Sequence, residues 1–384
     1  MAKRHPVCIL TGAPGTGKTT VLRTILEHFE GQGLRIALAA PSGKAAKRLF
    51  ECTGRRACTI HKLLEPQRQG DRFVFTRTAD NPIAADLIVI DELSMTDVSL
   101  MARLLEAIAP GSRLILVGDT YQLPSVGPGN LLKDLIASGT IPTTELTIIK
   151  RQDEGLIIRA CHQIKSGASI NLENSTAKDF FFLKRDSEAA IRETIFELLT
   201  RRFPASYQAD PLREVQVITP LREKTPLSCK ALNEEFQRRL NPNPSLEGSR
   251  FKVRDKVIQT KNQYDLDVIN GDIGYVLEID QSTRTITVSF ENPERVVELP
   301  LYENDLVLAY AITCHRFQGS EARIVVIPVH RCFGPLIVQR NWMYTAVSRA
   351  KDVCVLVGQR EELTKAIQRN QQQRRCTRLQ SMLR

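Results

Sequence analysis

A glycine-rich segment near the start of the chain constrains the first part of the fold. Residues 9–20 read ILTGAPGTGKTT, in which an apolar run leads into a loop with three glycines and then into Lys18 and Thr19. The spacing Gly12-x-x-x-x-Gly17-Lys18-Thr19 is the Walker A pattern, which needs a strand before the loop and a helix after it. An ordinary glycine–proline turn is the alternative, but it does not explain both flanks. The segment therefore predicts an α/β domain that holds phosphate.

The loop itself supplies the predicted nucleotide site. Glycines let consecutive backbone N–H groups turn inward toward phosphate oxygens, and the amino end of the following helix adds positive potential. Lys18 is expected to reach the β- and γ-phosphates as a catalytic group, and the Thr19 hydroxyl is expected to hold Mg²⁺. The residues expected to contact the nucleotide are Gly12, Ala13, Pro14, Gly15, Thr16, Gly17, Lys18, Thr19 and Thr20.

An acidic pair follows a second apolar strand, in the segment LIVIDELS at 87–94. A parallel α/β sheet places its ligand crevice at the carboxyl ends of its strands. We expect Asp91 to hold Mg²⁺ through water and Glu92 to polarise the attacking water. The two carboxylates could instead cap the helix that follows. With the phosphate loop upstream, the pair predicts hydrolysis of a nucleoside triphosphate.

The first part of the chain alternates between strand and helix patterns. Short apolar runs bounded by turn residues predict strands, and the helix at 97–109 is expected to bury a stripe. Apolar strands that alternate with helices predict a parallel sheet covered on both faces. The predicted strands are 35–40, 87–90 and 113–118, the helices are 18–30 and 97–109, and the stripe is Leu100, Leu104, Leu105 and Ile108.

Two segments interrupt this pattern. Residues 66–82 contain Gly70-Asp71 between alternating flanks, which fits a small projecting hairpin or a plain surface loop. Residues 251–300 alternate with period two around Asn270-Gly271, a strong turn signal, and predict a small antiparallel, barrel-like insert. Apolar strands resume after it. The predicted organisation is a first domain over 1–148, a second over 149–250 and 301–384, and the insert over 251–300.

Composition narrows the partners of the chain. It has 53 Lys and Arg against 43 Asp and Glu, a formal net charge of +10, which favours a polyanionic partner. Nine scattered cysteines without a Cys-x-x-Cys pair are typical of reduced thiols in a cytoplasmic protein and argue against zinc. Because no apolar run approaches the roughly 20 residues that cross a bilayer, we expect no membrane partner.

Six further segments carry a family resemblance. Those at 116–129, 312–321 and 341–351 resemble motifs III, V and VI of superfamily 1 DNA helicases, and those at 40–49, 59–64 and 91–95 narrow the resemblance to the RecD/TraA type. It implies two RecA-like domains with ATP and Mg²⁺ between them, and hydrolysis coupled to 5′→3′ movement on single-stranded DNA and duplex unwinding. Single-strand/duplex junctions and repair or recombination proteins are the implied partners.

The resemblance also implies further nucleotide contacts. Gln122, in motif III, would sense the γ-phosphate. Arg151 and Arg349, at the motif IV and VI positions, would come from the second domain and stabilise charge on the phosphoryl oxygens. Glu321 would touch the ribose.

The implied DNA contacts lie in both domains. The insert resembles the small barrel of RecD-type helicases, where Lys261 also lies near the expected track, although a purely stabilising module is equally consistent with the pattern. Residues 66–82 stand where relatives have a pin that splits the duplex, with Phe73 and Phe75 at its tip or in its packing face. The residues expected to contact DNA are Ser42, Lys44, Thr59, His61, Asn262, Asn270, Thr313, His315 and Gln318.

Two features depart from the family pattern. Lys150 stands where relatives carry an aromatic residue that stacks on adenine in the wider superfamily. Larger members also have an N-terminal region, so the chain resembles a short form or a fragment. Two alternative functions remain, a translocase that unwinds poorly and an ATP-responsive DNA-binding or scaffold subunit of a repair nuclease complex. The full set of hydrolytic residues favours the helicase.

Overall fold

The computed structural model describes residues 1–69, 72–148, 155–170, 172, 179–246, 248–291, 294–302, 304–370, 375 and 377–383. The chain forms two compact units. Unit 1 consists of Met1–Glu154 with Gln371–Arg384, and unit 2 consists of Gly155–Asn370.

Unit 1 is built on a six-stranded parallel sheet in the order β3-β2-β6-β7-β1-β8. Its central strands are apolar along their whole length, because helices cover both faces. The strands of unit 1 are β1 (Val7–Gly12), β2 (Ile36–Ala40), β3 (Ala57–Thr59), β4 (Pro66–Gln69), β5 (Arg72–Phe75), β6 (Leu87–Ile90), β7 (Arg113–Gly118) and β8 (Thr143–Leu146). The predicted parallel sheet is confirmed.

The helices of the main part of unit 1 are α1 (Lys18–Glu30), α2 (Gly43–Thr53), α3 (Ile60–Leu63), α4 (Val98–Glu106) and α5 (Leu131–Ser138). The predicted apolar stripe of α4 was wrong at Leu105, which is 51% exposed. Met101 and Leu104 are buried instead, while Leu100 and Ile108 are partly buried against the same core. At about 100° per residue, Leu105 and Leu100 lie at opposite margins of the face centred on Met101 and Leu104, and only the Leu100 margin packs against the core.

The segment after α3 forms a hairpin. Strands β4 and β5 pair antiparallel, with Pro66 opposite Phe75 at the base. Phe75 packs against the unit 1 core, and its ring centroid lies 6.0 Å from that of His61. Phe75 thus belongs to the packing face, while Gly70-Asp71 and the side chain of Phe73 lie outside the described part of the chain.

Unit 2 has a five-stranded parallel sheet in the order β16-β10-β17-β18-β9. Its strands are β9 (Phe180–Lys184), β10 (Val215–Thr219), β11 (Lys256–Gln259), β12 (Ile273–Asp280), β13 (Thr285–Phe290), β14 (Arg295–Pro300), β15 (Leu306–Leu308), β16 (Ala311–Thr313), β17 (Ala322–Val329) and β18 (Ala350–Gly358). Its helices are α6 (Leu156–Ser166), α7 (Glu188–Glu197), α8 (Phe203–Tyr207), α9 (Cys229–Leu240), α10 (Arg340–Val347) and α11 (Arg360–Gln368).

The insert in unit 2 is a five-stranded antiparallel sheet in the order β14-β13-β12-β11-β15, with its own apolar core. It extends beyond the predicted end at residue 300, because β15 pairs with β11 before the chain re-enters the parallel sheet as β16. The two strands look continuous in the sequence. Tyr310 lies between them, and its hydroxyl donates to Asp255 Oδ1 at 2.8 Å.

Lys256 and Asp255 lie next to each other at the base of the insert, and their surroundings differ. The Asp255 carboxylate is fully buried and accepts from Asn241 Nδ2 at 2.7 Å and from the Lys252 backbone N–H at 2.7 Å, in addition to Tyr310. Lys256 is 3% exposed, and its Nζ donates to the Val215 carbonyl at 3.0 Å. Burial lowers the pKa of Lys256 to about 8, and Glu291 and Asp210 oppose that shift.

The C-terminal residues return to unit 1, although the sequence placed 301–384 in the second domain. A short helix, α12 (Leu379–Met382), lies beside α5, and Leu379 and Leu383 pack against the unit 1 core. Thr377 Oγ1 donates to Asp134 Oδ2 at 2.5 Å. The basic composition of the tail gives no indication of these anchoring contacts.

The described ranges contain eight of the cysteines and one group of three possible metal ligands. Within these ranges, no helix has both the length and the hydropathy needed to cross a bilayer, and the eight described cysteines are all free. Glu188, His330 and Cys332 place possible ligand atoms within 4.8 Å of one another. Hydrogen bonds account for this group, because the Cys332 N–H donates to His330 Nδ1 at 3.2 Å and burial with a Glu188 contact raises the pKa of the thiol to about 12.

Lys256→Met should stabilise the protein at pH 7 by about 1–3 kcal/mol, because it removes a buried ammonium while keeping most of the side-chain volume. The pKa of Lys256 is about 8 in the folded state against an ordinary value of 10.5. The unfolded state therefore binds more protons between these values, and wild-type stability rises with pH there. Denaturant unfolding should show the advantage of Lys256→Met shrinking between pH 8 and pH 10.

The exposed Lys230 offers a matched control. Lys230→Met should leave the free energy of unfolding within about 0.5 kcal/mol of wild type. A Lys256→Met advantage that stays constant over this pH range would contradict the assignment.

Candidate functional site

The predicted site residues of unit 1 follow the carboxyl ends of five parallel strands, and so lie along one edge of the sheet. The phosphate loop follows β1, the acidic pair follows β6, and Gln122 follows β7. These three strands are adjacent in the order β6-β7-β1. The predicted DNA residues follow β2 and β3, further toward the sheet edge. The predicted nucleotide residues and the predicted DNA residues therefore lie at different positions along the same edge of the sheet.

The loop after β1 has the shape of a phosphate cradle. A Cβ on Gly12 would lie 2.7 Å from Thr16 Oγ1 and 2.9 Å from the Leu146 carbonyl, so this position has no room for a side chain. Gly17 adopts the left-handed conformation with φ 83° just before α1. Both glycines are therefore needed for backbone reasons. Thr16 Oγ1 donates to the Ala13 carbonyl at 2.8 Å and fixes the turn.

Lys18 is half-buried at the start of α1 and points back over the loop. Its Nζ donates to the Gly12 carbonyl at 2.5 Å and to the Ala13 carbonyl at 3.1 Å. Thr19 and Thr20 are exposed, and no side chain caps the amino end of α1. The first N–H groups of this helix thus face outward beside the ammonium, which is a suitable environment for an anion.

Asp91 and Glu92 leave the end of β6 in different environments. Desolvation, followed by the Glu92 carboxylate, raises the pKa of Asp91 to about 6, and Arg48 and Lys18 act in the opposite direction. The Glu92 side chain is 12% exposed. Its backbone is left-handed with φ 51° and ψ 41°, and its N–H donates to Asp91 Oδ1 at 2.8 Å. Two carboxylates near a lysine can share a divalent cation and a water.

Arg48 is a member of this cluster that sequence reasoning missed. Its Nη1 lies 4.0 Å from Glu92 Oε1. The sequence does contain a signal for Arg48, because this residue follows Lys44 by one helical turn within the motif at 40–49 and so lies on the same face of the helix.

Gln122 lies in the loop after β7. The loop turns on Asp119, whose Oδ1 accepts from the Tyr121 backbone N–H at 3.0 Å. Gln122 is 6% exposed, and its buried Oε1 has no hydrogen-bond partner among the described residues. A buried amide oxygen without a donor is costly, so it suits a site that an additional ligand or water completes.

Arg349 follows α10 in unit 2 and is almost fully buried, at 2% exposure. Its guanidinium donates to the carbonyls of Thr345 at 3.2 Å and Ser320 at 3.4 Å, and to Ser348 Oγ at 3.3 Å. No carboxylate in the described ranges lies within ion-pair distance of it. A buried cation held only by neutral acceptors retains the capacity to bind an anion.

Glu321 is brought next to Arg349 by the sheet. The Ala322 N–H donates to the Arg349 carbonyl at 3.0 Å where β17 and β18 begin. Arg151 and Lys150, the predicted motif IV residues, lie outside the described part of the chain.

Two of the predicted DNA residues of unit 1 are also helix caps. Ser42 Oγ accepts from the Ala45 N–H at 3.3 Å, and Thr59 Oγ1 accepts from the Lys62 N–H at 3.0 Å. They therefore stabilise the starts of α2 and α3. Lys44 is half-exposed in the first turn of α2.

His61 lies in α3 beside the hairpin. Burial lowers the pKa of His61, and the charge of Asp97 opposes the shift. The ring is therefore neutral at pH 7, so its use to a nucleic acid would be hydrogen bonding or stacking rather than charge.

The predicted DNA residues of unit 2 form two groups. Thr313 and Gln318 are buried at 7% and 4% exposure, whereas His315 is exposed between them. In the insert, Asn262 and Asn270 are both exposed, and Asn262 Oδ1 accepts from the Asn270 N–H at 2.8 Å. That bond joins two loops of the insert and gives Asn262 a structural role beside any DNA contact.

Family models match most of the chain in three parts. The matches are an AAA domain over residues 1–182, an ATP-dependent RecD-like DNA helicase SH3 domain over 232–290 and a UvrD-like helicase C-terminal domain over 308–357.

Individual relatives extend the comparison. The ATP-dependent RecD2 DNA helicase of Deinococcus radiodurans is 37% identical over 353 residues, which are 91% of this chain and 46% of that protein. The RecBCD enzyme subunit RecD of Mycolicibacterium smegmatis is 32% identical over 418 residues, 100% of this chain and 74% of that subunit. The chain thus spans about half of the first relative and about three quarters of the second.

Solved structures match at the level of the fold. A crystal structure of Pif1 helicase from Bacteroides in complex with ADP-AlF3 and ssDNA has a TM-score of 0.58 and 21% identity, covering 95% of this chain and 91% of that one. A Pif1 helicase from Candida albicans has a TM-score of 0.55 and 19% identity, covering 94% and 92%.

The two parallel sheets and the loop after β1 define a P-loop protein with two RecA-like domains and a small β insert, as predicted. The chain belongs to the RecD-like family of superfamily 1 DNA helicases.

Gly12→Ala should weaken nucleotide binding by about 10- to 100-fold, because the new Cβ displaces Thr16 and the loop backbone. Titration with a fluorescent ATP analogue measures the affinity. Gly31→Ala, at the other end of α1, is the matched control, since φ there is −61° and the new Cβ would meet only ordinary contacts, at 3.4 Å and 3.6 Å. Equal affinities of the two variants would show that the loop does not contact the nucleotide.

Proposed function

We propose that this chain is an ATP-dependent helicase that moves 5′→3′ on single-stranded DNA and couples ATP hydrolysis to duplex unwinding. The observation that carries the proposal is that Lys18, Asp91, Glu92 and Gln122 follow the ends of three adjacent strands. Among the described residues, the buried Gln122 oxygen has no hydrogen-bond partner. The 5′→3′ direction is inferred from the motif resemblance.

The residues present fit ATP and Mg²⁺. Lys18 is held by two loop carbonyls that a phosphate can replace, and Thr19 and Asp91 offer the hard oxygen ligands that Mg²⁺ prefers. We assign the nucleotide to Gly12–Thr20 and the metal to Thr19 and Asp91. When bound, Mg²⁺ would neutralise phosphate charge. The pKa of Asp91 is raised, which is consistent with a carboxylate whose charge a bound cation would stabilise.

Hydrolysis needs a positioned water and stabilisation of charge on the phosphoryl group. Glu92 is the group that would orient the water, because it directly follows Asp91 at the end of β6 and its largely buried carboxylate lies beside Arg48. Gln122 can donate to a phosphate oxygen and accept from the same water. Arg349, with no carboxylate partner among the described residues, and Arg151 are assigned to the developing charge, and Glu321 to the ribose.

Movement requires that DNA affinity change with the nucleotide state. A ligand shifts an equilibrium only by its different affinity for the two states. The contact set that we propose is Ser42, Lys44, Thr59, His61, Asn262, Asn270, Thr313, His315 and Gln318. It is supported by the position of the first four beside the nucleotide strands of unit 1.

Partner proteins and location belong to the same proposal. The RecD relatives carry the name of a RecBCD enzyme subunit, which supports repair or recombination proteins as partners. Free cysteines support a reducing, cytoplasmic location. Single-strand/duplex junctions are the proposed substrate.

Duplex substrates with one single-stranded tail test the function directly. Wild type should hydrolyse ATP faster with DNA present and should displace the strand of a 5′-tailed duplex in preference to a 3′-tailed one. Lys18→Ala should lose both activities, because it removes the phosphate-binding ammonium. Equal ATPase rates of wild type and Lys18→Ala would exclude an ATP-driven motor. ATPase activity without displacement would favour the translocase that unwinds poorly.

Arg349→Ala should keep ATP affinity while DNA-stimulated turnover falls by about 10³-fold or more. Arg349→Lys should recover little of it, since an ammonium lacks the planar fork. Arg360→Ala, which removes an exposed arginine of α11, is the control and should behave as wild type. Normal turnover in a folded Arg349→Ala protein would remove this residue from the site.

A further inference from the structure

The loop that follows Gln122 is held by a residue from the far end of the chain. Arg375 Nη1 donates to the carbonyls of Gly127 at 2.6 Å and Gly129 at 2.7 Å, and Nη2 donates to the Ser125 carbonyl at 2.7 Å. Nη1 also lies 3.4 Å from Ser125 Oγ. In the described part of the chain, no carboxylate pairs with Arg375. The guanidinium is thus used entirely for the loop backbone.

Arg375 adds to the contacts that hold the loop, in which Ser125 Oγ also donates to the Gly127 carbonyl at 3.1 Å. The loop contains Gly127 and Gly129, which are flexible in isolation, and a Cβ on Gly127 would lie 2.3 Å from Asp97 Oδ2. The Val98 N–H donates to the Pro128 carbonyl at 3.2 Å. Backbone carbonyls need hydrogen-bond donors when they are removed from water. Arg375 donates to three carbonyls of this loop.

Arg375 is itself fixed by the residues that follow it. Thr377 bonds Asp134 on α5, Gln380 Nε2 donates to the Ala137 carbonyl at 3.2 Å, and Leu379 lies in the unit 1 core. The guanidinium is therefore presented to the loop by an anchored segment, so little backbone entropy is lost on contact.

Gln122 lies three residues before Ser125, which is the first residue of the loop that Arg375 contacts. Leu123 and Ser125, on either side of Pro124, are buried at 6% and 3% exposure. The residues between Gln122 and Ser125 are therefore packed, and a shift of the loop changes where the Gln122 amide points.

We infer that Arg375 is a positioning residue for ATP hydrolysis, which holds residues 125–129 so that Gln122 faces the terminal phosphate. The inference rests on the proposed function, because it uses the role assigned to Gln122. Arg375 lies five positions after Asn370, where unit 2 ends. Arg375 belongs to the C-terminal part of unit 1 and so acts on a loop of its own unit.

Steady-state ATP hydrolysis at saturating single-stranded DNA tests the inference. Arg375→Ala should lower kcat by about 10- to 100-fold, while KM for ATP stays within twofold, because the phosphate loop is unaffected. Arg375→Lys should recover part of kcat. Arg378→Ala removes an exposed arginine of the same tail and should match wild type. Melting temperatures and ATP affinities of all variants establish that they are folded.

A double-mutant cycle separates positioning from general loss of structure. If Arg375 acts through Gln122, then Arg375→Ala combined with Gln122→Ala should have the kcat of Gln122→Ala alone. A merely structural effect lowers the active fraction and multiplies with the Gln122→Ala loss. Multiplying effects, an unchanged kcat in Arg375→Ala, or a raised KM with normal kcat would each overturn the inference. If Arg375→Ala does not fold, Arg375→Lys gives the same comparison.

Failure of the proposed function has a different signature. In that case wild type and Lys18→Ala hydrolyse ATP at the same rate, whatever the tail variants do. Failure of the inference alone leaves Lys18→Ala inactive and Arg375→Ala as active as Arg378→Ala.

Discussion

Parallel hydrogen bonding between β1 and its neighbours β7 and β8 determines where the reactive groups of unit 1 can lie. Because all six strands of this sheet run the same way, every loop after a strand emerges on one rim. Lys18, the Asp91–Glu92 pair and Gln122 are far apart in sequence, yet they follow strands that are adjacent in space. The strand order thus determines which of these side chains lie near one another.

The buried charges of the molecule distinguish structural from functional positions. Asp255 is fully buried and accepts short hydrogen bonds from Asn241, Tyr310 and the backbone of Lys252. Arg349 is equally buried but has contacts of 3.2–3.4 Å, all to neutral oxygens. A buried charge with complete partners stabilises one conformation, whereas an incompletely paired one retains affinity for an ion of opposite sign. The second pattern is consistent with the catalytic role that we propose for Arg349.

Sequence reasoning succeeded where the signal is local. The bounds of α1, β6 and β7 and the parallel sheet followed from motifs and periodicity within about a dozen residues. It failed where tertiary packing decides, as in the exposure of Leu105 on α4 and the assignment of β15 to the insert. The clasp between Arg375 and Ser125 joins residues 250 positions apart, and nothing local marks it. A basic, glutamine-rich tail reads as solvated unless its anchors are known.

The conformation of Glu92 shows how folding energy is used at the site. A left-handed backbone costs a non-glycine residue about 1–2 kcal/mol, so φ 51° persists only if the surroundings impose it. The preceding Asp91 accepts the Glu92 N–H, and the following Leu93 is fully buried in the unit 1 core. With both neighbours fixed, the chain must turn sharply as it leaves β6. The strain is therefore offset by the burial of Leu93, and contacts within the protein are enough to fix the backbone of Glu92.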